Sequence, residues 1–464
     1  MRVGAGIREH ASTVVVAALS SLFAVALILF TGILTASIEP AVIESSGTFR
    51  VVLMMVALVF ILIALYVGAI VTANTFSTII AGRTRTIALL RLIGSTSARV
   101  RGRVAGEGLV VGLVGAIIGF ALAEGLCAAV VALGPGLGWL PAERDYPLFD
   151  PLAVVAVAVV ALTTWAAAWT GSRRVAGVSP IAATGAAVEL APERSRRRPA
   201  RTVWSVVLMI LGASLLAIGL VLGFVTPLAL FIAFWGGLFS FTGIALGAHL
   251  VMPPLLGISG RMLGRGVAGR LAAANTLRHP ERSARSTIGL VIGVTLVTMF
   301  AVALSSYETM ALHAFASDAE LEAQMSDTLT VTTAIFTGLV GFSAVIAAVG
   351  LVNTLSLSVL QRTRELGLLR VLGLTGAQMR RMVLAESAQM TVTALGLGLL
   401  LGVFYGWTAA QSLMGSQAGL MAPTIPWPIL AGVAVFGGSL ALVAAAAPAR
   451  RAIRVSPVEA LALD

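Results

Sequence analysis

Gln361-Arg362-Thr363-Arg364-Glu365-Leu366-Gly367-Leu368-Leu369-Arg370-Val371-Leu372-Gly373-Leu374-Thr375 joins two long apolar runs, and most of it has already occurred once in the chain. Arg362-Thr363-Arg364 and Leu368-Leu369-Arg370-Val371-Leu372-Gly373 repeat Arg83-Thr84-Arg85 and Leu89-Leu90-Arg91-Leu92-Ile93-Gly94 at an offset of 279 residues (362 against 83). Upstream, Asn353-Thr354-Leu355-Ser356 answers Asn74-Thr75-Phe76-Ser77 at the same offset. Downstream it holds at Thr96/Thr375, Ala98/Ala377, Arg101/Arg380 and Glu107/Glu386. A second echo closes each copy, Arg173-Arg174 with Val178-Ser179-Pro180 against Arg450-Arg451 with Val455-Ser456-Pro457. Within the quoted segment Leu366, Leu369 and Leu372 fall at helical spacing, so one face is apolar and the other carries Arg364 and Arg370. A duplicated unit that presents one basic amphipathic element twice suits a two-fold partner.

Composition sets the solvent. Apolar residues make up 58% of the chain and charged residues 11%, against about 45–50% and roughly 25% in soluble domains. Ten apolar runs lie near 14–36, 51–80, 105–133, 152–170, 204–222, 226–252, 288–306, 331–359, 384–412 and 427–447. A spanning helix needs about 20 residues, and open sheet cannot cross lipid, so the expected class is an all-α integral membrane protein of about ten transmembrane helices.

The net charge of +11 invites a nucleic-acid reading, and its placement argues against one. The basic charge is 31 arginines with no lysine. Only Arg50 and Arg144 fall in loops on one side, while acidic residues gather there, Glu143, Asp145 and Asp150 in one loop and Asp318, Glu320, Glu322 and Asp327 in another. That asymmetry is the positive-inside pattern and places both termini in the cytoplasm. The four histidines show no metal-ligand spacing, and Cys127, alone, can form no internal disulfide.

The order of runs reads as four helices, a two-helix insert and four more: 1–185, 186–264 with a basic linker, and 265–464 with an elbow segment at Leu277 to Arg285, Leu271 and Leu277 facing lipid. The two copies share one orientation, which makes a parallel repeat. The loops between runs 1 and 2 and between runs 7 and 8 are too short for independently folded domains, since unsupported units under about 40 residues rarely fold alone.

The quoted string resembles the coupling helix of FtsX-like permeases, membrane subunits of the MacB/FtsX superfamily of ABC transporters. The likeness is strongest over 340–460 and recognisable over 60–185. The ten-helix order is similar to the BceB-type branch, without the large external domain of that branch or of MacB. The resemblance implies that Arg83, Arg85, Leu89, Arg91 and Gly94, and Arg362, Arg364, Glu365, Leu366, Gly367, Leu369, Arg370 and Gly373, dock an ATPase. It also implies that two ATPase copies serve one chain in a bacterial plasma membrane. The copies differ at one point, Thr86-Ile87-Ala88 against Glu365-Leu366-Gly367, so only the second carries an acidic residue there.

A phosphate-binding loop needs a lysine for the β- and γ-phosphates, and with none in this chain, ATP and Mg are expected to enter through a separate subunit. The chain itself is expected to bind no cofactor, no metal and no nucleic acid, and to hold no catalytic residue. Its partners are expected to be the ATPase, membrane lipids and an amphiphilic substrate such as a lipid, peptide or drug-like molecule. A transducer that regulates an external partner without transport is the first alternative, and a secondary transporter the second.

Three weaker signals complete the sequence. Glu107 and Glu386 sit just inside runs 3 and 9, where a carboxylate suits the helix N-terminus, can pair with preceding arginines or can transmit motion. Glu124, deeper in run 3, has no acidic counterpart at Val403 and is the candidate substrate-facing group. Gly108, Gly112, Gly115 and Gly119, and Gly398, Gly402 and Gly406, mark helix faces for close packing, expected against runs 2 and 8.

Overall fold

The computed structural model describes residues 11–37, 92–136, 145–172, 199–264, 266–278, 280–315 and 373–439, with Leu89 and parts of 51–70. Every regular element among them is helical. They are α1 (Ala11–Ser37), α2 (Ser97–Leu133), α3 (Pro151–Gly171), α4 (Pro199–Leu222), α5 (Ala229–Leu246), α6 (Ala248–Leu263), α7 (Gly266–Arg278), α8 (Pro280–Phe315) and α9 (Gly376–Ala418). Shorter apolar helices are Met54–Ile63 and Trp427–Ser439. Among the described residues seven helices are long and apolar enough to cross a membrane, those at runs 1, 3, 4, 5, 6, 7 and 9. The chain is a multi-pass membrane protein. Run 8 and part of run 2 lie outside the described residues, as do both termini and the linker up to Arg198.

The chain divides into two compact units, Met1–Ala183 with Leu312–Phe342, and Thr184–Ala311 with Ser343–Asp464. In the first, α2 packs on α1 and α3 through its glycines. A Cβ at Gly115 would lie 2.6 Å from Ala17 Cβ, and one at Gly112 2.7 Å from Thr164 Cβ. The Ser21 hydroxyl donates to Ala116 O at 2.8 Å across this seam. Cys127 is fully buried on α2. A water-soluble maleimide is therefore expected to label it only after denaturation, and labelling of the native protein would contradict this burial.

In the second unit α8 and α9 meet the same way: a Cβ at Gly398 would lie 2.7 Å from Val294 Cβ, and one at Gly402 2.5 Å from Thr298 Cβ. Among the described residues the glycine stripes thus pack on the helices of runs 1, 4 and 7; run 8 and most of run 2, against which packing was expected, lie outside the described residues. Small residues on both partners explain it: α1 offers Ala17, Ala18 and Ser21, and α8 offers Thr295, Thr298 and Ala303, which lets backbones approach without leaving a void.

The insert begins as a close hairpin. α4 and α5 interleave Gly212, Gly219, Gly236 and Gly243, each with the facing backbone or Cβ within 3 Å of where its own Cβ would stand. The connection is a tight turn, with Thr226 N donating to Leu222 O at 3.0 Å and Leu228 N to Thr226 Oγ1 at 3.3 Å. Run 6 ends earlier than the sequence suggests. Gly247 breaks it (φ −87, ψ 14), and α6 restarts at Ala248 with Pro253 and Pro254 inside it. α7 is 13 residues long, with Leu271 exposed and with Ala272 and Thr276 buried, and the elbow expected at 277–285 is divided between its end and the start of α8 at Pro280.

Candidate functional site

The two copies of the quoted motif end in the same local structure. Gly94 and Gly373 both have positive φ, +97 and +95, a region open to glycine and strained for a residue with a Cβ. Two residues on, Thr96 (φ −73, ψ 150) and Thr375 (φ −70, ψ 154) cap α2 and α9 from extended backbone. Thr96 Oγ1 accepts from Arg99 N at 3.3 Å, and Thr375 Oγ1 accepts from Gln378 N at 3.3 Å. Thr375 N donates back to Gln378 Oε1 at 2.9 Å, a full capping box. The first helical bonds also correspond, Val100 N to Thr96 O at 3.1 Å and Met379 N to Thr375 O at 3.0 Å.

Before the first turn, Ile93 N donates to Leu89 O at 3.2 Å, which closes a helical turn. Leu89, Leu92 and Ile93 are exposed by 50%, 54% and 80%. Of the other residues expected to dock, Arg83, Arg85, Arg91, Arg362, Arg364, Glu365, Leu366, Gly367, Leu369 and Arg370 lie outside the described residues.

The helices leaving the turns treat their equivalent glutamates differently. Glu107 pairs with Arg103 one turn back, Nε to Oε1 at 3.4 Å, with exposures of 33% and 53%. Glu386 is only 3% exposed and accepts from Asn275 Nδ2 of α7 at 3.3 Å. The cause is legible at the preceding turn. Where α2 has Arg103, α9 has the buried Met382, so α9 offers no cation at that position. Glu124 is half-buried on α2, and its Oε1 meets no hydrogen-bond partner among the described residues.

A polar seam on α9 extends beyond Glu386. Gln389 Nε2 reaches Gly269 O of α7 at 3.5 Å. The Thr393 and Ser259 (α6) hydroxyls share a bond at 2.9 Å, and Tyr405 shares one with Ser240 of α5. Gln411 then holds the chain beyond α9, donating from Nε2 to Gly419 O at 2.6 Å and accepting from Met421 N at 3.2 Å. Trp407 Nε1 donates to Met421 O at 2.8 Å, and Thr424 N donates to Ser306 Oγ of α8 at 3.1 Å. These residues were not singled out in the sequence. Their signal was a recurrence of Glu, Gln, Thr and Tyr at spacings of three, four and twelve along one apolar run, which a search for charged residues passes over.

The profile of the FtsX-like permease C-terminal family matches the chain twice, over residues 58–180 and 337–457. Together these segments cover just over half of the 464 residues, and the chain belongs to the FtsX-like permease family. It is 29% identical over 142 residues to the uncharacterized ABC transporter permease YknZ of Bacillus subtilis, a match covering 31% of this chain and 34% of that protein. It is 30% identical over 137 residues to the ABC transporter permease YtrF of the same organism, covering 27% of this chain and 31% of that protein. A third relative is the macrolide export ATP-binding/permease protein MacB of Sodalis glossinidius, 30% identical over 120 residues, or 26% of this chain and 18% of that protein. The chain thus spans about a third or less of the length of these curated relatives.

Proposed function

We propose that this chain is the permease of an ABC transporter in a bacterial plasma membrane, driven by a separate cytoplasmic ATPase. The observation that carries the reading is the recurrent turn. A glycine at positive φ, one residue and then a threonine cap stand at 94–96 and at 373–375, each closing a basic amphipathic motif of one sequence. Two such elements in one chain suit the two faces of an ATPase dimer, with the turns and both termini on the cytoplasmic side. Family membership and the names of the relatives support the class. The MacB relatives are named for ATP binding and permease together, whereas this chain has no lysine with which to build the usual phosphate loop.

In this mechanism ATP closes the dimer and displaces the segments 83–97 and 362–376. Each Gly–X–Thr turn is a stiff joint, because a capped helix start fixes the chain's entry angle. Displacement therefore passes into α2 and α9, whose lengths of 37 and 43 residues exceed what a bilayer requires. The work done at the far side is export or extraction of an amphiphile, by mechanical transmission rather than through a central aqueous channel.

The test is reconstitution with the partner ATPase. Purified chain alone is expected to hydrolyse no ATP, and the complex to contain two ATPase subunits per chain. Glu365→Arg is expected to weaken assembly and ATPase stimulation. An interfacial charge that loses its partner costs about 2–5 kcal/mol, an exposed one about 0–1 kcal/mol. Thr86→Arg removes no charge and is expected to have a milder effect. Hydrolysis by the isolated chain, or equal effects of the two substitutions at matched expression, would count against this reading.

A further inference from the structure

The insert has no counterpart in the first half of the chain, and the structure gives it a place: side chains fasten its helices α5 and α6, and the adjoining α7, to α9. Glu386 and Gln389 bond to α7, Thr393 to α6 and Tyr405 to α5. At the far end of α9 the α4–α5 turn is wedged against it. A Cβ at Gly223 would lie 2.7 Å from Ser412 Cα and 2.8 Å from Gln411 O, and one at Gly415 would lie 3.0 Å from Gly223 O. Gln411 and Thr424 then tie the segment after α9 to α9 and α8.

The same face of α2 lacks this chemistry. At the 279-residue offset, Gln389, Thr393, Tyr405, Gln411 and Ser412 become Val110, Val114, Leu126, Ala132 and Leu133. None of these side chains can form a hydrogen bond, and all but Val114 are exposed. Duplication therefore produced two equivalent turns, of which, among the described residues, only the second feeds a helix bonded by side chains to the insert.

We propose that the insert is the output arm of the second turn. On this account α5, α6, α7 and α9 move as one body, and a displacement at Gly373–Gly376 reappears at the α4–α5 turn. Within the hydrocarbon layer a broken side-chain bond finds no water to replace it. Sliding α9 by one helical turn, about 5 Å, would break every seam bond together. Bonds from α9 to three different helices, spread from Glu386 to Tyr405, also oppose rotation of α9 against the insert. The first turn, by contrast, acts on a helix whose corresponding face is apolar and largely exposed among the described residues. The two turns would accordingly deliver different motions. The inference rests on the ATP-driven reading above.

The experiment is pulsed electron spin distance measurement on the complex with its ATPase, in a Cys127→Ala background, with and without a non-hydrolysable ATP analogue. Spin labels go at exposed sites, one pair at Ala377 and Val225 and another at Ala98 and Ala377. The expected result is a nucleotide-dependent change between Ala98 and Ala377 with a constant distance between Ala377 and Val225. Breaking the seam with Ser259→Ala, Gln389→Leu and Tyr405→Phe together is expected to let the Ala377–Val225 distance change. A shift of about one helical turn in that distance with the seam intact would overturn the proposal. A constant Ala98–Ala377 distance would instead refute the ATP-driven reading, and the output arm with it.

Should the triple variant fail to fold, the pair Ser259→Cys and Thr393→Cys gives the complementary test. The native hydroxyls are 2.9 Å apart, so the two sulfurs can bridge. A disulfide that leaves ATPase stimulation intact supports a seam that stays closed through the cycle, and one that abolishes stimulation only when oxidised overturns it.

Discussion

Gly119→Ala is expected to destabilise the first unit far more than its size suggests. The new Cβ would press on the Ala18 carbonyl oxygen and lie 2.7 Å from Leu22 N and 2.8 Å from Ser21 Cβ. Two of those atoms are backbone, which cannot swing aside, so α1 and α2 must separate. Overpacking of this kind costs about 1–3 kcal/mol, and here separation also strains the Ser21–Ala116 bond. Gly125→Ala on the same helix is the control, because nothing lies within 4 Å of the added methyl. Removing a helix-interior glycine there should stabilise by roughly 0.5–1 kcal/mol. Gly402→Ala and Gly396→Ala repeat the comparison on α9, with Thr298 Cβ at 2.5 Å in one case and open space in the other. Thermal unfolding of the detergent-solubilised protein reads the difference. Equal midpoints for Gly119→Ala and Gly125→Ala would mean that α1 and α2 do not meet as described.

Helix existence was legible in the sequence for a simple reason: a bilayer demands long apolar runs and leaves little room for alternatives. Helix starts were not. The apolar runs begin at 105 and 384 and the sequence puts a helix start near Met379, whereas α2 and α9 begin at Ser97 and Gly376 and carry Arg99, Arg101, Arg103, Arg380 and Arg381 in their first two turns. Counting apolar residues finds the part in hydrocarbon. The cap finds the helix, and both caps were visible as a threonine after a glycine, with Gln378 completing the box at Thr375. Run 6 shows the opposite error. Gly247 splits it where a Cβ would run into the Ser205 hydroxyl, which itself donates to Gly243 O at 2.9 Å, a tertiary contact that no local pattern reveals.

The candidate site was legible as motif and not as geometry. Repetition at a fixed offset pointed to Gly94 and Gly373, and the shared positive φ gives both glycines a physical reason to be there. The seam was missed because hydrogen-bonding residues in a membrane helix are conspicuous only once the facing helix is known. Tyr405 means little until Ser240 stands opposite, and Ser240 lies 165 residues away. The interior of the second unit is therefore specified by polar pairs as well as by packing. Interhelical bonds of this type contribute about 0.6 kcal/mol each on average, so their weight lies in fixing register rather than in bulk stability.

Removing the carboxylate from Glu386 is expected to cost much more than removing it from Glu107, although the two occupy equivalent positions. Glu107 and Arg103 form a partly exposed pair at 3.4 Å, solvent screens it, and Glu107→Ala should cost under about 1 kcal/mol. Glu386 is 3% exposed and fastens α9 to α7 through Asn275. A hydrogen bond to a charged group contributes about 1.5–3 kcal/mol, and its removal leaves the half-buried Asn275 amide short of an acceptor. Glu386→Ala should therefore lower the unfolding midpoint by several times the shift of Glu107→Ala. The partner side gives an independent order. Asn275→Ala removes one donor from the carboxylate, whereas Asn275→Asp sets a second carboxylate about 3 Å from the first, where two like charges cannot both ionise cheaply. Asn275→Asp should be the more damaging at neutral pH and should recover as pH falls and one of the two carboxylates takes up a proton. Unfolding midpoints of the four variants at neutral and mildly acid pH supply the comparison. If Glu386→Ala and Glu107→Ala shift the midpoint equally, or if Asn275→Asp is as stable as Asn275→Ala at neutral pH, the junction of α9 with α7 does not depend on the buried carboxylate.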